Sequence, residues 1–357
     1  MIKPRSEDLL RWYDKNARIL PWRIPPSEDS SINENIRQPD PYRIWLSEIM
    51  LQQTTVTAVI PYFNLFIRRW PTIKDLAEAK LDTVLQAWAG LGYYARARNL
   101  HKSADIIARE YEGRFPNTKQ ELLELPGIGP YTASAIAAIA FGKSEAVVDV
   151  NVERVLARLY AVQETLPTAK RKINHIANSL TPKSRPGDYA QGVMDLGATI
   201  CTLKNPKCEI CPWLKSCRAK KLGNVDQFPR RTPKEKRSKR KGIAFWAVGA
   251  DGSVLLRRRP ETGLLGGMME VPSTNWDIAG SADLLQAPIL ADWNELPGSV
   301  NHSFTHFQLE LKVMASRVKR NSRVDGMWIM PSDFSQQALP TLTKKIISHA
   351  IKYNCLF

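Results

Sequence analysis

Apolar side chains recur at helical spacing through the first two hundred residues and at strand spacing in the last hundred. Residues 6–18 place Leu9, Leu10, Trp12 and Tyr13 on an amphipathic helix that Leu20-Pro-Trp-Arg23 ends. Residues 24–39, rich in Ser, Pro and Asn, predict a long loop. Asp40-Pro41, a capping residue followed by proline at the first helical position, predicts a helix from Tyr42 to Thr54. Helices continue through 74–111, and two more fill 170–203. Between them, Glu121-Leu-Leu-Glu-Leu-Pro-Gly-Ile-Gly-Pro-Tyr reads as helix, hairpin, helix. Leu122, Leu123 and Leu125 belong to the first helix, Pro126 ends it, and Gly127 and Gly129 permit the turn. Pro130 then opens an Ala/Ile-rich helix. Past residue 241 the period changes. Gly242 to Val248 and Ser253 to Arg258 flank Gly-Ala-Asp-Gly, a hairpin signal. Phe307, Leu309, Leu311 and Val313 alternate with polar residues, and a last helix spans 341–353. The pattern predicts a multidomain chain: an all-α domain over 1–217, a basic linker over 218–241 and an α+β domain over 242–357.

Charge narrows the partner. The 357 residues carry a formal net charge of +16, which favours a polyanion. The run from Arg230 to Lys241 holds eight basic residues against Glu235 alone; it reads as a solvated linker that can also track phosphates. The first residues are polar and no run of about 18 apolar residues occurs, so a soluble, cytoplasmic protein without a signal peptide is expected. Four of the five cysteines crowd into Cys201-x6-Cys208-x2-Cys211-x5-Cys217, which suggests a metal site rather than disulfides. Spacing leaves zinc and an iron–sulfur cluster both open.

Several residues can carry chemistry. Glu48 is the only acid of its helix, and Ile44, Leu51 and Gln52 share its face. A carboxyl among apolar neighbours keeps its proton and can act as a general acid, unless an Arg or Lys elsewhere pairs with it. Asp149 follows an apolar run and precedes a helix, where capping is the plainer role. Tyr93 and Tyr94 lie among Arg96 and Arg98; they suit base stacking or packing beneath a turn. The backbone N–H groups of Gly127, Ile128 and Gly129 sit at a helix N-terminus with no acid beside them, a setting that attracts phosphate.

Together and in order, Trp45-Leu-Ser-Glu-Ile-Met-Leu-Gln-Gln-Thr54, Gly90-Leu-Gly-Tyr-Tyr-Ala-Arg-Ala-Arg-Asn99, the Leu-Pro-Gly-Ile-Gly-Pro hairpin, Val148-Asp-Val-Asn-Val152 and the cysteine spacing closely resemble the MutY adenine DNA glycosylases of the helix-hairpin-helix superfamily. The resemblance runs from about residue 7 to the C-terminus and implies excision of adenine mispaired with 8-oxoguanine or guanine in double-stranded DNA. It implies a [4Fe-4S] cluster on Cys201, Cys208, Cys211 and Cys217. By the same resemblance Glu48 is the general acid that protonates N7 and later helps activate water, and Asp149 stabilises the sugar cation. Tyr131 and Asn151 position these groups, and Arg18, Arg23 and Gln191 line the adenine pocket. Gln52 and Tyr93 enter the duplex, with Gln53 and Thr54 beside them at the DNA.

The second domain resembles the family's Nudix-like, lesion-recognising domain. Gly263-Leu-Leu-Gly-Gly-Met-Met-Glu-Val-Pro272 resembles its glycine-rich turn, without the Glu-rich metal-binding helix of active Nudix hydrolases, so no pyrophosphatase activity is expected. Phe304-Thr305-His306 matches the loop that inspects 8-oxoguanine, with threonine where serine is common. Bifunctional relatives such as endonuclease III carry a Schiff-base lysine just after the hairpin. Tyr131 stands there, which implies a monofunctional enzyme. A monomer is expected, and a sliding clamp or mismatch-repair proteins are partners by family analogy only. The competing readings are a bifunctional pyrimidine-lesion glycosylase with lyase activity and a catalytically silent, cluster-bearing DNA-binding protein.

Overall fold

A computed structural model describes residues 3–26, 39–232, 237–277, 284–319 and 324–353. Most of the loop expected over 24–39, and Lys234, Glu235 and Lys236 of the basic run, lie outside the described residues. By its contacts the chain forms two compact units, one of residues 1–78 and 99–233, the other of 79–98 and 234–357.

The helices are, in chain order, α1 (Ser6–Asn16), α2 (Pro41–Leu51), α3 (Val56–Arg69), α4 (Ile73–Glu78), α5 (Leu81–Trp88), α6 (Ala95–Glu110), α7 (Lys119–Leu123), α8 (Pro130–Phe141), α9 (Val150–Tyr160), α10 (Lys170–Leu180), α11 (Pro186–Thr199), α12 (Arg218–Lys221) and α13 (Thr341–Tyr353). In the first unit α8 lies at the centre. Its residues from Thr132 to Ala140 are all buried, as expected of a helix that is apolar all round. Small side chains let its neighbours come close: a Cβ on Gly187 of α11 would stand 2.8 Å from the carbonyl oxygen of Ala138. α2 and α11 both pack on it. α7 is short and capped by a reciprocal Thr118–Glu121 box; Leu125 lies beyond it, buried in the turn.

The basic segment expected as a linker holds structure at both ends. α12 occupies its start, Phe228 is buried, and Leu166 N–H donates to Arg230 O at 2.8 Å. Strand β1 (Ser238–Gly249) takes in its last residues. Charge alone did not reveal this, because Arg and Lys stems pack while their heads stay in water.

The second unit contains a mixed sheet. β2 (Val254–Arg258), β3 (Met269–Glu270), β4 (Asn294–Glu295), β5 (Val300–Ser303), β6 (Phe307–Val318) and β7 (Met327–Ile329) join β1 in the path β3-β2-β1-β6-β4, with β5 also on β6 and β7 on β2. β1 and β6 run parallel in register from Ser238 opposite Phe307 to Gly249 opposite Val318. The expected hairpin is present, with Val248 opposite Val254. Being central, β1 is buried on both faces from Ile243 to Val248. β6 keeps the alternation read from its sequence at its start and loses it after Val313, where Met314 and Ala315 are also buried. α13 covers one face through Leu342, Ile346 and Ile347.

The hairpin between α7 and α8 explains its two glycines differently. Gly127 has φ +79°, and a Cβ there would meet Asn99 Cβ at 2.8 Å; Gly129 has an ordinary φ of −95° and nothing within 4 Å. Gly127→Ala is therefore expected to cost about 1–3 kcal/mol, and Gly129→Ala less than about 0.5 kcal/mol. Urea unfolding of the two variants measures the difference.

Candidate active site

Asp40 accepts from Tyr42 N–H at 2.9 Å and Pro41 occupies the first turn, so α2 begins where the sequence predicts. It ends at Leu51 rather than Thr54. Thr55 already caps α3, so the chain must reverse within four residues, and Gln53 does so with φ +59°. Gln52, Gln53 and Thr54 thus form a turn, and Gln52 Nε2 lies 3.2 Å from Thr132 Oγ1.

Asp149 caps α9. Its Oδ1 accepts from Asn151 N–H at 2.9 Å and Val152 N–H at 2.7 Å, and its Oδ2 from Asn151 Nδ2 at 2.8 Å. Asn151 in turn accepts from Arg154 Nη2 at 2.9 Å, and Arg154 Nε donates to Cys201 O at 2.8 Å. Gly197 of α11 permits this close packing, since a Cβ there would stand 2.7 Å from Asn151 Cβ.

These elements enclose a cavity of about 550 Å³, within the range of small-ligand sites. Glu48, Tyr131, Asp149, Asn151, Arg18, Arg23, Gln191 and the turn from Gln52 to Thr54 all line it. Capping and cavity-lining are thus both true of Asp149. Trp22, Ser47 and Met194 line it as well, and sequence reading had not singled them out. Behind the wall stands Asp195, fully buried, bonded to both arginines. No sequence pattern links it to them, because about 175 residues separate the partners.

The two cavity carboxyls differ in environment. Glu48 is buried, and its Oε2 has no hydrogen-bond partner among the described residues. Burial pushes its pKa up to about 7, against the Tyr131 hydrogen bond and the Arg23 charge, which pull it down; Asp149 adds to the rise. Burial also raises Asp149, but three N–H donations oppose that and favour its carboxylate. Burial and then the two carboxylates hold Tyr131 far above the ordinary phenol range, so it remains a hydrogen-bond donor. The two carboxyls of one cavity thus sit in different environments, Asp149 held by three N–H donors and Glu48 governed by its burial.

The remaining candidates lie elsewhere. In the hairpin the Ile128 side chain is buried and its N–H already donates to Leu125 O at 3.2 Å, so Gly127 and Gly129 are what the turn presents outward. Within the second unit Tyr93 is 45% exposed with φ +49°, and its hydroxyl is 2.6 Å from Thr305 Oγ1. Phe304 stacks on Trp276 and Phe307, and with Thr305 and His306 forms the tight turn between β5 and β6. Cys201, Cys208, Cys211 and Cys217 line one small cavity with Arg158 and Lys220. No helix among the described residues is long and apolar enough to cross a membrane.

Residues 46–183 match the HhH-GPD superfamily base excision DNA repair protein, and residues 243–349 match the NUDIX domain. A thermostable thymine-DNA glycosylase of known structure superposes with a TM-score of 0.53 at 29% identity, over 61% of this chain and 95% of that one. Fold and cavity together define a helix-hairpin-helix DNA glycosylase with a Nudix-like C-terminal domain. The human adenine DNA glycosylase is 33% identical over 95% of this chain and 72% of its own length. That of Buchnera aphidicola from Schizaphis graminum is 33% identical over 96% and 97%. The chain belongs to the adenine DNA glycosylase family: it is a base-excision repair hydrolase that binds DNA and removes adenine.

The buried acid has a cost in stability. With its pKa raised from 4.5 to about 7, Glu48 burdens the fold only when it must ionise. The burden is absent below pH 4.5, grows between 4.5 and 7, and is complete above, at most about 3 kcal/mol. Glu48→Gln should therefore unfold at higher temperature than the parent at pH 8, with the gap closing towards pH 4.5. A gap independent of pH would contradict the assignment.

Proposed function

We propose that adenine opposite 8-oxoguanine or guanine is turned out of duplex DNA into the Glu48 cavity, that Glu48 protonates its N7, and that Asp149 steadies the oxocarbenium-like sugar left behind. A base inside a duplex cannot be reached, so extrusion comes first, at a cost of a few kcal/mol. Adenine leaves poorly until its ring carries a proton. The observation that carries the reading is Glu48 Oε2: a buried carboxyl oxygen without a partner among the described residues, in a cavity shared with a capped Asp149. A group so placed can give its proton to a ligand and then take one from water. Tyr131 and Asn151 orient the two carboxyls, and Arg18, Arg23 and Gln191 receive the base. Gln52, Gln53, Thr54, Tyr93 and the Gly127–Gly129 turn meet the DNA, while Phe304, Thr305 and His306 inspect the opposite base. The left-handed backbone at both Gln53 and Tyr93 supports their assignment, since such strain collects at functional turns.

Cys201, Cys208, Cys211 and Cys217 are assigned as ligands of a [4Fe-4S] cluster. The four thiols line one small cavity. Four thiolates brought to one place are the donor set that holds such a cluster. Arg158 Nη1 lies 3.4 Å from Cys201 Sγ, a donor suited to a thiolate. When bound, a cluster supplies a four-point cross-link of the loop. Purified protein is expected to contain iron and acid-labile sulfide in equal amounts and to lose both in the Cys208→Ser variant; stoichiometric zinc instead would reject the assignment.

Tyr131 offers no amine for a Schiff base, which supports hydrolysis without strand cleavage. Single-turnover assays on duplexes with adenine opposite 8-oxoguanine, guanine, thymine or cytosine test the whole reading. Alkali-dependent cleavage opposite the first two alone is expected, with no borohydride-trapped complex. Glu48→Gln should slow it by about 10²–10⁴-fold. Cleavage without alkali, or opposite all four bases alike, would refute the monofunctional, mispair-directed reading.

A further inference from the structure

Asp195 is the acid for which the chemistry above has no use. It is fully buried, on the face of α11 that also carries Gln191, Met194 and Ala198 to the cavity wall. It does not line the cavity. Its Oδ1 accepts from Arg18 Nε at 2.6 Å; its Oδ2 accepts from Arg18 N–H at 2.9 Å and Arg23 Nη1 at 2.7 Å. One carboxylate therefore holds two guanidiniums and a backbone amide of the segment that follows α1. That segment supplies Arg18, Leu20, Trp22 and Arg23 to the cavity. It belongs to no helix or strand.

We propose that Asp195 is a positioning residue for adenine excision: it anchors the Arg18–Arg23 wall of the base pocket and keeps the Arg23 guanidinium paired away from Glu48. The inference rests on the reading of Glu48 as the acid. Arg23 is the cation that acts on Glu48, and its side chain is only 6% exposed, so water does little to screen it. The groups facing Glu48 are Tyr131 from α8, Asp149 from the start of α9, and Arg23. Those facing Asp195 are Arg18, Arg23 and Tyr13 of α1. Paired with Asp195, Arg23 is neutralised from behind. Without that charge, a buried cation is left with Glu48 as an available acid, and a carboxyl paired to it loses its proton at lower pH. The base pocket loosens as well, because the Arg18 amide and both guanidiniums lose a charged acceptor.

The test is the pH dependence of single-turnover adenine excision by the full chain on an adenine–guanine duplex, for Asp195→Asn, Arg23→Met and the double variant. Circular dichroism of each checks its fold. Asp195→Asn should lower the rate at least tenfold at pH 8, with the alkaline fall-off moved down by about one pH unit. Arg23→Met should move that fall-off up, and adding Asp195→Asn to it should shift it no further. A purely structural role would lower the rate equally at every pH and add in full to the Arg23→Met loss; either that result or unchanged kinetics overturns the proposal. If Asp195→Asn fails to fold, Arg23→Met decides alone: an unmoved fall-off overturns it. Glu48→Gln run beside them separates the two ideas, since excision that survives this change sinks the acid assignment itself.

Discussion

A carboxyl group is harder to ionise where burial strips its solvation, and the first unit buries Glu48 at the wall of its cavity. α2 is buried from Ile44 to Met50, and α8 is buried all round. Between them stands one acid whose second oxygen finds no partner among the described residues. The instability this creates is tolerable because the surrounding packing is extensive and the strain is local. Polar groups at the rim of the cavity are, by contrast, satisfied: Asp149 by three N–H donors, Asn151 by Arg154, Gln191 by Gly187.

The charged wall obeys the same logic in reverse. Arg18 and Arg23 bring positive charge to the cavity that Glu48 also lines. Burial opposes the Arg23 charge, and the bond to Asp195 overcomes it, leaving Arg23 more firmly protonated than usual. A buried pair of this kind contributes little net stability, because desolvation offsets attraction. Its value lies in direction. It sets which way a guanidinium points.

Much of the local structure was legible beforehand. Asp40-Pro41, the Pro126–Pro130 hairpin, the Val248–Val254 hairpin and the alternation of β6 all follow from backbone chemistry that acts over a few residues. Where such reading failed, a distant element intervened. α2 stops at Leu51 because α3 begins at Val56, and Phe228 of the basic segment after Cys217 is held to α9 by Arg158. The catalytic candidates were found through motif order, since spacing alone could not tell a capping Asp149 from a reacting one.

By itself the sequence determined the period of each segment, the positions of turns and caps, the crowding of four thiols within seventeen residues, and the presence of one acid on an otherwise apolar helix. These are properties of neighbours along the chain. Tertiary structure alone decided that Glu48 lies beside Tyr131, that Asp149 both caps a helix and lines a cavity, and that Asp195 holds Arg18 and Arg23. The reason is the range of the forces. Backbone preference and hydrophobic period act over a few residues, whereas desolvation and charge act through space, between residues that only the packed helices bring together.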